Sequence, residues 1–280
     1  MPRLISPFAE VVVAAPRTKI TTDKIFDGLA QKFRNNVYGT NKGWLRQHIL
    51  SQDLQRIPFI ADQKSCQVLD VGGGLGQMSD WFAQQGHQVV FTEPATDMRA
   101  EAINLFTAQQ NSYAAPVQVY NYRLQQLEAH LSPANIVVCH AVLEWLHEPQ
   151  AALPILANMM QPEGWLSLMF FNEHGLRFSN IVKGNYDKAL RDTLDGTGQR
   201  LRLTPISPQD PETVLSGLKA QGLEIVSVAG IRIFNDYLRD KTPSEADLEK
   251  VQALEWRYCH QEPYWRLGRY IHVIARKPAA

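Results

Sequence analysis

The residues from Asp70 to Gly76, with the carboxylate of Glu93 beyond them, are the part of this sequence best suited to chemistry, and that chemistry is the binding of a nucleotide-type cofactor. In Cys66-Gln-Val-Leu-Asp-Val-Gly-Gly-Gly-Leu-Gly-Gln77 an apolar run ends in Asp70, as a buried parallel strand does. The glycines then let the backbone turn tightly and approach a ligand with no Cβ in between. The next apolar run, His87-Gln-Val-Val-Phe-Thr-Glu93, ends in an acid placed to accept hydrogen bonds from ribose hydroxyls. A glycine turn alone fits any tight strand-to-helix connection; the acid at the second strand end is what points to a cofactor. Register argues against nicotinamide. The G-x-G-x-x-G pattern needs a third glycine inside the helix, and that position is Gln77 counted from Gly72 and Ser79 counted from Gly74.

These residues need strands and helices to hold them, and hydrophobic periodicity predicts both. Strands are expected near 66–71, 87–93, 116–121, 134–140, 164–171, 223–234 and 268–277, and helices near 76–85, 95–109, 124–131, 149–160 and 210–221. Upstream, Ile25, Phe26, Leu29, Ala30 and Phe33 recur at helical spacing from Asp23, and a second helix is expected from Lys42 to Arg56. Strands separated by helices build βαβ units, hence a mostly parallel sheet covered on both faces. The last two strands are joined by a long helical connection, which permits an antiparallel closing pair. Gln161-Pro-Glu-Gly164 reads as a turn before the fifth strand. Asn172 to Pro208 reads as an insertion in which Arg177, Lys183, Lys188, Arg191, Arg200 and Arg202 are interleaved with Phe178 and Tyr186, with Phe171 just ahead of it. Charge alone makes it a solvated cap; its place at the carboxyl ends of the strands, where open α/β sheets bind ligands, makes substrate contact an equal reading.

Composition bounds the rest. The 280 residues are 45% apolar, with 28 Lys and Arg against 28 Asp and Glu, a balance that argues against indiscriminate high-affinity binding to nucleic acid. It leaves room for a local basic face, since residues 1–46 are rich in Lys and Arg while 47–163 are rich in acid. No apolar run approaches the roughly 20 residues of a membrane span. The patch Val11-Val-Val-Ala-Ala15 follows Pro7 and Glu10, with only Arg3 as a basic residue ahead of it, so a signal peptide is not expected. The 3 cysteines are odd in number and far apart, which fits neither a disulfide framework nor a metal cluster and suggests a cytoplasmic setting.

Asp70-x-Gly72-x-Gly74-x-Gly76 resembles the first motif of class I S-adenosylmethionine-dependent methyltransferases, and Glu93-Pro-Ala-Thr-Asp-Met98 resembles that family's acid-x-x-x-x-Met segment. The resemblance implies an α/β class I methyltransferase Rossmann-like fold, with a seven-stranded, mostly parallel sheet and an antiparallel last strand. One domain would span 1–280, with a helical lid over 23–60, an insertion after strand five at 172–208, and residues 1–22 outside the family pattern. It also implies that Glu93 binds the ribose, that Met98 packs near the adenine, and that His140-Ala-Val-Leu-Glu-Trp145 borders the methyl donor. From the residues alone, His140 is a hydrogen-bonded core histidine, Glu144 a carboxylate that caps or pairs locally beside Trp145 and His147, and Arg46 an exposed helix charge. On the family's lid, Arg46 would instead hold the methionine carboxylate.

Further segments narrow the family. Phe33-x-x-Asn36-x-Tyr38-Gly-Thr40-x-Lys42-Gly-x-Leu-Arg46-Gln47, Ser167-Leu-Met-Phe-x-Asn172-x-His174-Gly-Leu176, Phe234-x-Asp236-Tyr-Leu-Arg239, Arg257-Tyr-Cys-x-Gln-Glu-Pro-Tyr264 and Leu267-Gly-Arg-Tyr-Ile-His272 resemble the bacterial tRNA 5-carboxymethoxyuridine methyltransferases. The resemblance runs from about Asp23 to Pro278. It implies methyl transfer from S-adenosylmethionine to the carboxylate of 5-carboxymethoxyuridine at the tRNA wobble position, with the anticodon loop as partner and neither membrane nor metal. By motif position the cofactor-binding residues are Arg46, Gly72, Gly73, Glu93, Pro94, Leu124, Gln125 and His140. No catalytic base is implied, since a carboxylate is ionised at neutral pH. Two departures matter: the family more often has Asp where Glu93 stands, and Tyr122-Arg-Leu-Gln-Gln126 lacks the usual acid, which leaves the adenine amino group to a backbone atom or Gln126. Arg200, Arg202, Arg239 and Arg269 are candidates to orient the substrate carboxylate, with Tyr38, Tyr237 and Tyr264 as hydroxyl donors or stacking platforms, although for each singly a structural salt bridge or a packed aromatic is the commoner role. The alternatives are a methyltransferase acting on a small metabolite, which would want an enclosed apolar pocket, and a cofactor-binding protein without catalysis.

Overall fold

The apolar runs form a seven-stranded sheet: β1 Gln67–Val71, β2 Gln88–Thr92, β3 Gln118–Tyr120, β4 Ala134–His140, β5 Met160–Phe171, β6 Glu224–Ile231 and β7 Tyr270–Arg276. The computed structural model describes residues 21–34, 41–196, 204–240 and 243–279. The order across the sheet is β3-β2-β1-β4-β5-β7-β6. β7 pairs antiparallel with both β5 and β6, so it alone runs against the other six. Among the described residues, eleven α-helices accompany the strands: α1 Ala30–Phe33, α2 Asn41–Leu54, α3 Pro58–Ala61, α4 Gln77–Gln84, α5 Thr96–Gln109, α6 Leu127–His130, α7 Ala152–Asn158, α8 Glu173–Val182, α9 Tyr186–Leu190, α10 Pro211–Ala220 and α11 Glu245–Tyr258.

The central strands are apolar on both faces because helices cover both. On one face Leu69, Val137 and Leu166 pack with Leu153 and Leu156 of α7 and Val214 and Leu218 of α10. On the other, Val68, Ile136 and Val138 pack with Phe82 of α4 and with Leu54 and Ile60. Among the described residues, no helix is long and apolar enough to cross a membrane.

Three departures from the expected elements bear on the site. Residues 23–29 are not helical, although their apolar spacing suits a helix. Lys24 N donates to Trp145 O (2.8 Å), Asp27 Oδ1 accepts from Thr96 N (2.7 Å), and Gly28 sits at φ +79°, so the segment becomes a strap laid over the carboxyl edge of the sheet. Ile25, Phe26 and Phe33 then pack on Leu75, Ala95 and Met98. Second, β5 starts early and contains the expected turn. Met160 pairs with Ala134 and Trp165 with Ile136, so the excess residues of β5 fold into a kink where Glu163 takes φ +59°. Third, the excursion after β5 closes on itself. Glu173 N donates to Gln209 O (3.0 Å) and Gln209 N to Phe171 O (2.9 Å). Asn172, fully buried at the start of α8, accepts from His174 N and donates to Arg266 O and Gly268 O. Tyr38, Arg200 and Arg202 lie outside the described residues, as do residues 1–20.

Candidate functional site

The turn after β1 and the end of β2 are tied together at the carboxyl edge of the sheet. Gly73 N donates to Thr92 O (3.0 Å), Gly74 N to Glu93 Oε2 (3.0 Å) and Ala95 N to Glu93 Oε1 (2.8 Å). Each oxygen of Glu93 keeps a lone pair, so the carboxylate can still accept from hydroxyl groups. Burial pushes Glu93 up to about 7, against the pull of the two N–H donors and with the nearby Asp70 adding to the rise. Asp70 accepts from Ser79 Oγ (2.7 Å), and burial pushes it up to about 6.

At the end of β4, Ala141 takes φ +58° while its N–H donates to Met169 O (2.7 Å), which turns the chain off the sheet directly after His140. A non-glycine residue in that region is strained, and such strain clusters at functional sites. A two-lobed cleft lies over this edge. Arg46, Gly72, Gly73, Glu93 and His140 line one lobe, together with Met98 and Met169. Gly72, Glu93, Pro94, Leu124 and Gln125 line the other. Phe26 and Trp145 border both lobes and meet edge to face at 4.7 Å. The structure therefore gathers all eight residues expected from the sequence around one cleft. Arg46 is no exposed charge: it stands on the buried face of α2 with 5% of its surface accessible.

The other residues singled out from the sequence lie as follows. Glu144 does not pair with His147, whose Nδ1 lies 2.8 Å from Asp23 Oδ1; Glu144 is buried, and burial pushes it up to about 8. Gln126 Oε1 accepts from Arg123 N (2.9 Å) and lines neither lobe. The hydroxyl of Tyr237 lies 3.2 Å from Gly175 O and from Leu267 O, which commits its proton to the backbone. Tyr264 packs against Tyr258 and Phe234. Arg239 is exposed, while Arg269 stacks over Phe171 at 4.6 Å and stands 3.8 Å from Asp236. Away from the cleft, ligand atoms of His174, Asp210 and Glu212 fall within 4.8 Å of one another, with Glu212 also engaged by Arg266.

Sequence reasoning missed what stands behind His140. Its Nε2 is 2.8 Å from Ser167 Oγ, which is 2.8 Å from His272 Nε2, and His272 Nδ1 is 2.6 Å from Asp53 Oδ2. The one signal was composition: Asp53 falls among the buried Ile49, Leu50 and Leu54 of α2, and His272 in the apolar run of β7. Burial holds His140 well below the usual histidine range, with His272 and Arg46 contributing, so the ring is neutral at pH 7.

Comparison with known proteins agrees with this architecture. The sequence profile of a methyltransferase domain matches residues 44–228. Magnesium protoporphyrin IX methyltransferase from Synechocystis PCC 6803, solved with bound SAH, superposes with a TM-score of 0.60 at 17% identity, covering 90% of this chain and 96% of that one. Ubiquinone biosynthesis O-methyltransferase of Xylella fastidiosa (strain M23) is 26% identical over 222 residues, 75% of this chain and 85% of its own. The tRNA 5-carboxymethoxyuridine methyltransferase of Escherichia coli (strain K12) is 41% identical over 257 residues, 91% of this chain and 97% of its own. With the class I methyltransferase sheet order, the glycine turn tied to Glu93 and similarity along nearly the whole relative, the chain belongs to the family of bacterial tRNA 5-carboxymethoxyuridine methyltransferases.

Proposed function

We propose that this protein methylates the carboxylate of 5-carboxymethoxyuridine at the wobble position of tRNA, forming the methyl ester with S-adenosylmethionine as donor. The strongest support is the near full-length likeness to the Escherichia coli enzyme, which includes segments outside the cofactor core. The cleft suits such a cofactor. Nothing lies within 4 Å of where a Cβ on Gly74 would stand, and His140 Nδ1 is enclosed without a hydrogen-bond partner among the described residues. Arg46 would hold the methionine carboxylate, Glu93 the ribose hydroxyls, and Pro94, Leu124 and Gln125 would border the adenine. Residues 23–60 would act as the lid and 172–208 as the cap of a single domain. Bound there, S-adenosylmethionine supplies a methyl group activated by its sulfonium, which a carboxylate attacks in one displacement. The substrate is already ionised, so the protein's part is to align oxygen, methyl and sulfur and to exclude water.

The direct test incubates the protein with S-adenosylmethionine and tRNA bearing carboxymethoxyuridine, then examines digested nucleosides by mass spectrometry. The expected nucleoside is one methyl group heavier and loses that group on mild alkaline treatment. A gain stable to alkali, or methylation of a small acid with none on tRNA, would overturn the reading.

Two further outcomes are expected. Arg46→Ala should weaken S-adenosylmethionine binding by about 1.5–3 kcal/mol, the worth of a charged hydrogen bond. Calorimetry checks this, and unchanged affinity would remove Arg46 from the cofactor grip. Affinity should also depend on pH through Glu93. Its carboxyl, raised to about 7 in the free protein, is protonated below that pH, whereas ribose hydroxyls need the anion. Binding then releases a proton, so affinity is level above pH 7 and falls as pH drops below it, by up to about tenfold per pH unit. Titrations at pH 6 in two buffers of different ionisation enthalpy read that proton; Glu93→Gln should abolish the release, and a flat profile from pH 6 to 8 counts against the assignment.

A further inference from the structure

α2, β5 and β7 place Asp53, Ser167 and His272 in one line that is fully buried and ends at His140. The line crosses the sheet from the lid helix to the cleft, and no part of the proposed methyl transfer uses it. Its proton arrangement follows from counting. The carboxylate of Asp53 is also bonded by Arg56 Nε (2.8 Å) and Ser227 Oγ (3.0 Å), both at Oδ1. With Arg56 Nε, Ser227 Oγ and His272 Nδ1 all placed to donate to it and His260 Nε2 at 3.4 Å, Asp53 is an anion that only accepts. His272 therefore carries its proton on Nδ1. Arg56 Nε (2.8 Å) and His260 Nε2 (3.4 Å) also face Asp53, so a second proton on the fully buried His272 would add a positive charge beside Arg56 where, among the described residues, no further carboxylate faces it. With His272 neutral, its Nε2 is a lone pair, Ser167 must donate its hydroxyl proton there, and Ser167 Oγ must accept from His140 Nε2–H. The remaining ring nitrogen of the neutral His140, Nδ1, then bears a lone pair.

We propose that Asp53, His272 and Ser167 are positioning residues that lock His140 in its Nε2–H tautomer, so that Nδ1 offers a lone pair to a cationic or N–H group of the methyl donor. This rests on the assignment of the cleft to S-adenosylmethionine. Nδ1 is the orphan atom of that arrangement: enclosed, without a hydrogen-bond partner among the described residues, and on a side chain lining the lobe that also holds Arg46 and Glu93. The reversed chain would present an N–H there and repel the positive groups of the ligand.

Asp53→Asn separates the two arrangements. Arg56 and Ser227 both donate to Oδ1. The amide oxygen must stay on that side, which puts the amide nitrogen at the position of Oδ2, facing His272 Nδ1. His272 then moves its proton to Nε2, Ser167 turns, and His140 is left with its proton on Nδ1. Nitrogen NMR of the ligand-free protein with labelled histidine rings reads this directly. Wild type should show His140 Nδ1 unprotonated and Nε2 protonated, and Asp53→Asn the inverse, with S-adenosylmethionine affinity lowered at least about tenfold. Ser167→Ala, which removes the acceptor without introducing a donor, should give averaged signals from both tautomers and serves if Asp53→Asn does not fold. A wild-type His140 protonated on Nδ1, a tautomer that survives Asp53→Asn, or wild-type signals in Ser167→Ala overturns the inference, whatever substrate the protein methylates.

Discussion

Glu255→Ala is expected to cost about 3–5 kcal/mol of folding stability, although the residue touches neither lobe of the cleft. Glu255 is fully buried on α11, and its carboxylate accepts three consecutive backbone N–H groups just past β6: Ile233 N at 2.7 Å, Phe234 N at 2.9 Å and Asn235 N at 2.8 Å. Truncation leaves all three donors without partners, and each unsatisfied buried donor costs about 1–3 kcal/mol. The sum is discounted because water can enter the space the side chain vacates. For a chain of this size, each 1 kcal/mol moves the melting midpoint by about 2–4 °C, so a fall of roughly 6–20 °C is expected. Glu255→Gln should recover only part of it, because its amide nitrogen must face a backbone N–H that needs an acceptor. The freed segment holds the Arg232–Asp236 ion pair at 2.6 Å and Tyr237 at the carboxyl end of the sheet, so local hydrogen exchange there should rise as well. A Glu255→Ala midpoint within 1 °C of wild type would mean that the three N–H groups find other partners.

What the sequence made legible was local. The glycine turn and Glu93 sit within one strand-turn-helix-strand unit, where apolar periodicity and turn chemistry act over a few residues, and the structure brings them into contact as that pattern implies. Arg46 was different. Helical position alone made it a surface charge, and only the family's segments around it suggested a buried role. The strap at residues 23–29 misled because apolar spacing records which side chains are covered and leaves open what backbone covers them. Here tethers to Trp145 and Thr96 outweigh helix propensity. The line behind His140 was not legible at all, since its hydrogen bonds join residues 219, 105 and 27 apart in the chain. Each of Asp53, Ser167 and His272 is unremarkable by itself, and only the sheet order, which sets β5 beside β7 and α2 against β6, makes them neighbours.

Gly73→Ala should abolish tight S-adenosylmethionine binding, lowering affinity on the order of a hundredfold, about 2.7 kcal/mol. A Cβ on Gly73 would stand 2.6 Å from Asp70 Oδ2 and 2.6 and 2.8 Å from two ring carbons of Phe91. Neither neighbour can retreat: Asp70 is held by Ser79, and Phe91 is fully buried and packed edge to face on Phe106 at 5.4 Å. The turn itself must shift, and the open direction is the cleft. That movement pulls Gly73 N from Thr92 O and Gly74 N from Glu93 Oε2, so the acid meant for the ribose loses its backbone anchor as the turn intrudes on the cofactor's space. Overpacking should also lower stability by about 1–3 kcal/mol. Gly74→Ala separates this from backbone strain. At φ +60° with no protein atom within 4 Å of its Cβ, its stability should fall only by the left-handed penalty of about 1–2 kcal/mol, and any loss of affinity in this variant reports the cofactor occupying that open space. Paired thermal melts and calorimetric titrations of the two variants decide the matter. If Gly73→Ala binds S-adenosylmethionine as wild type does, the turn does not cradle the cofactor, since no rearrangement that accommodates the new Cβ leaves the cleft wall where it stands.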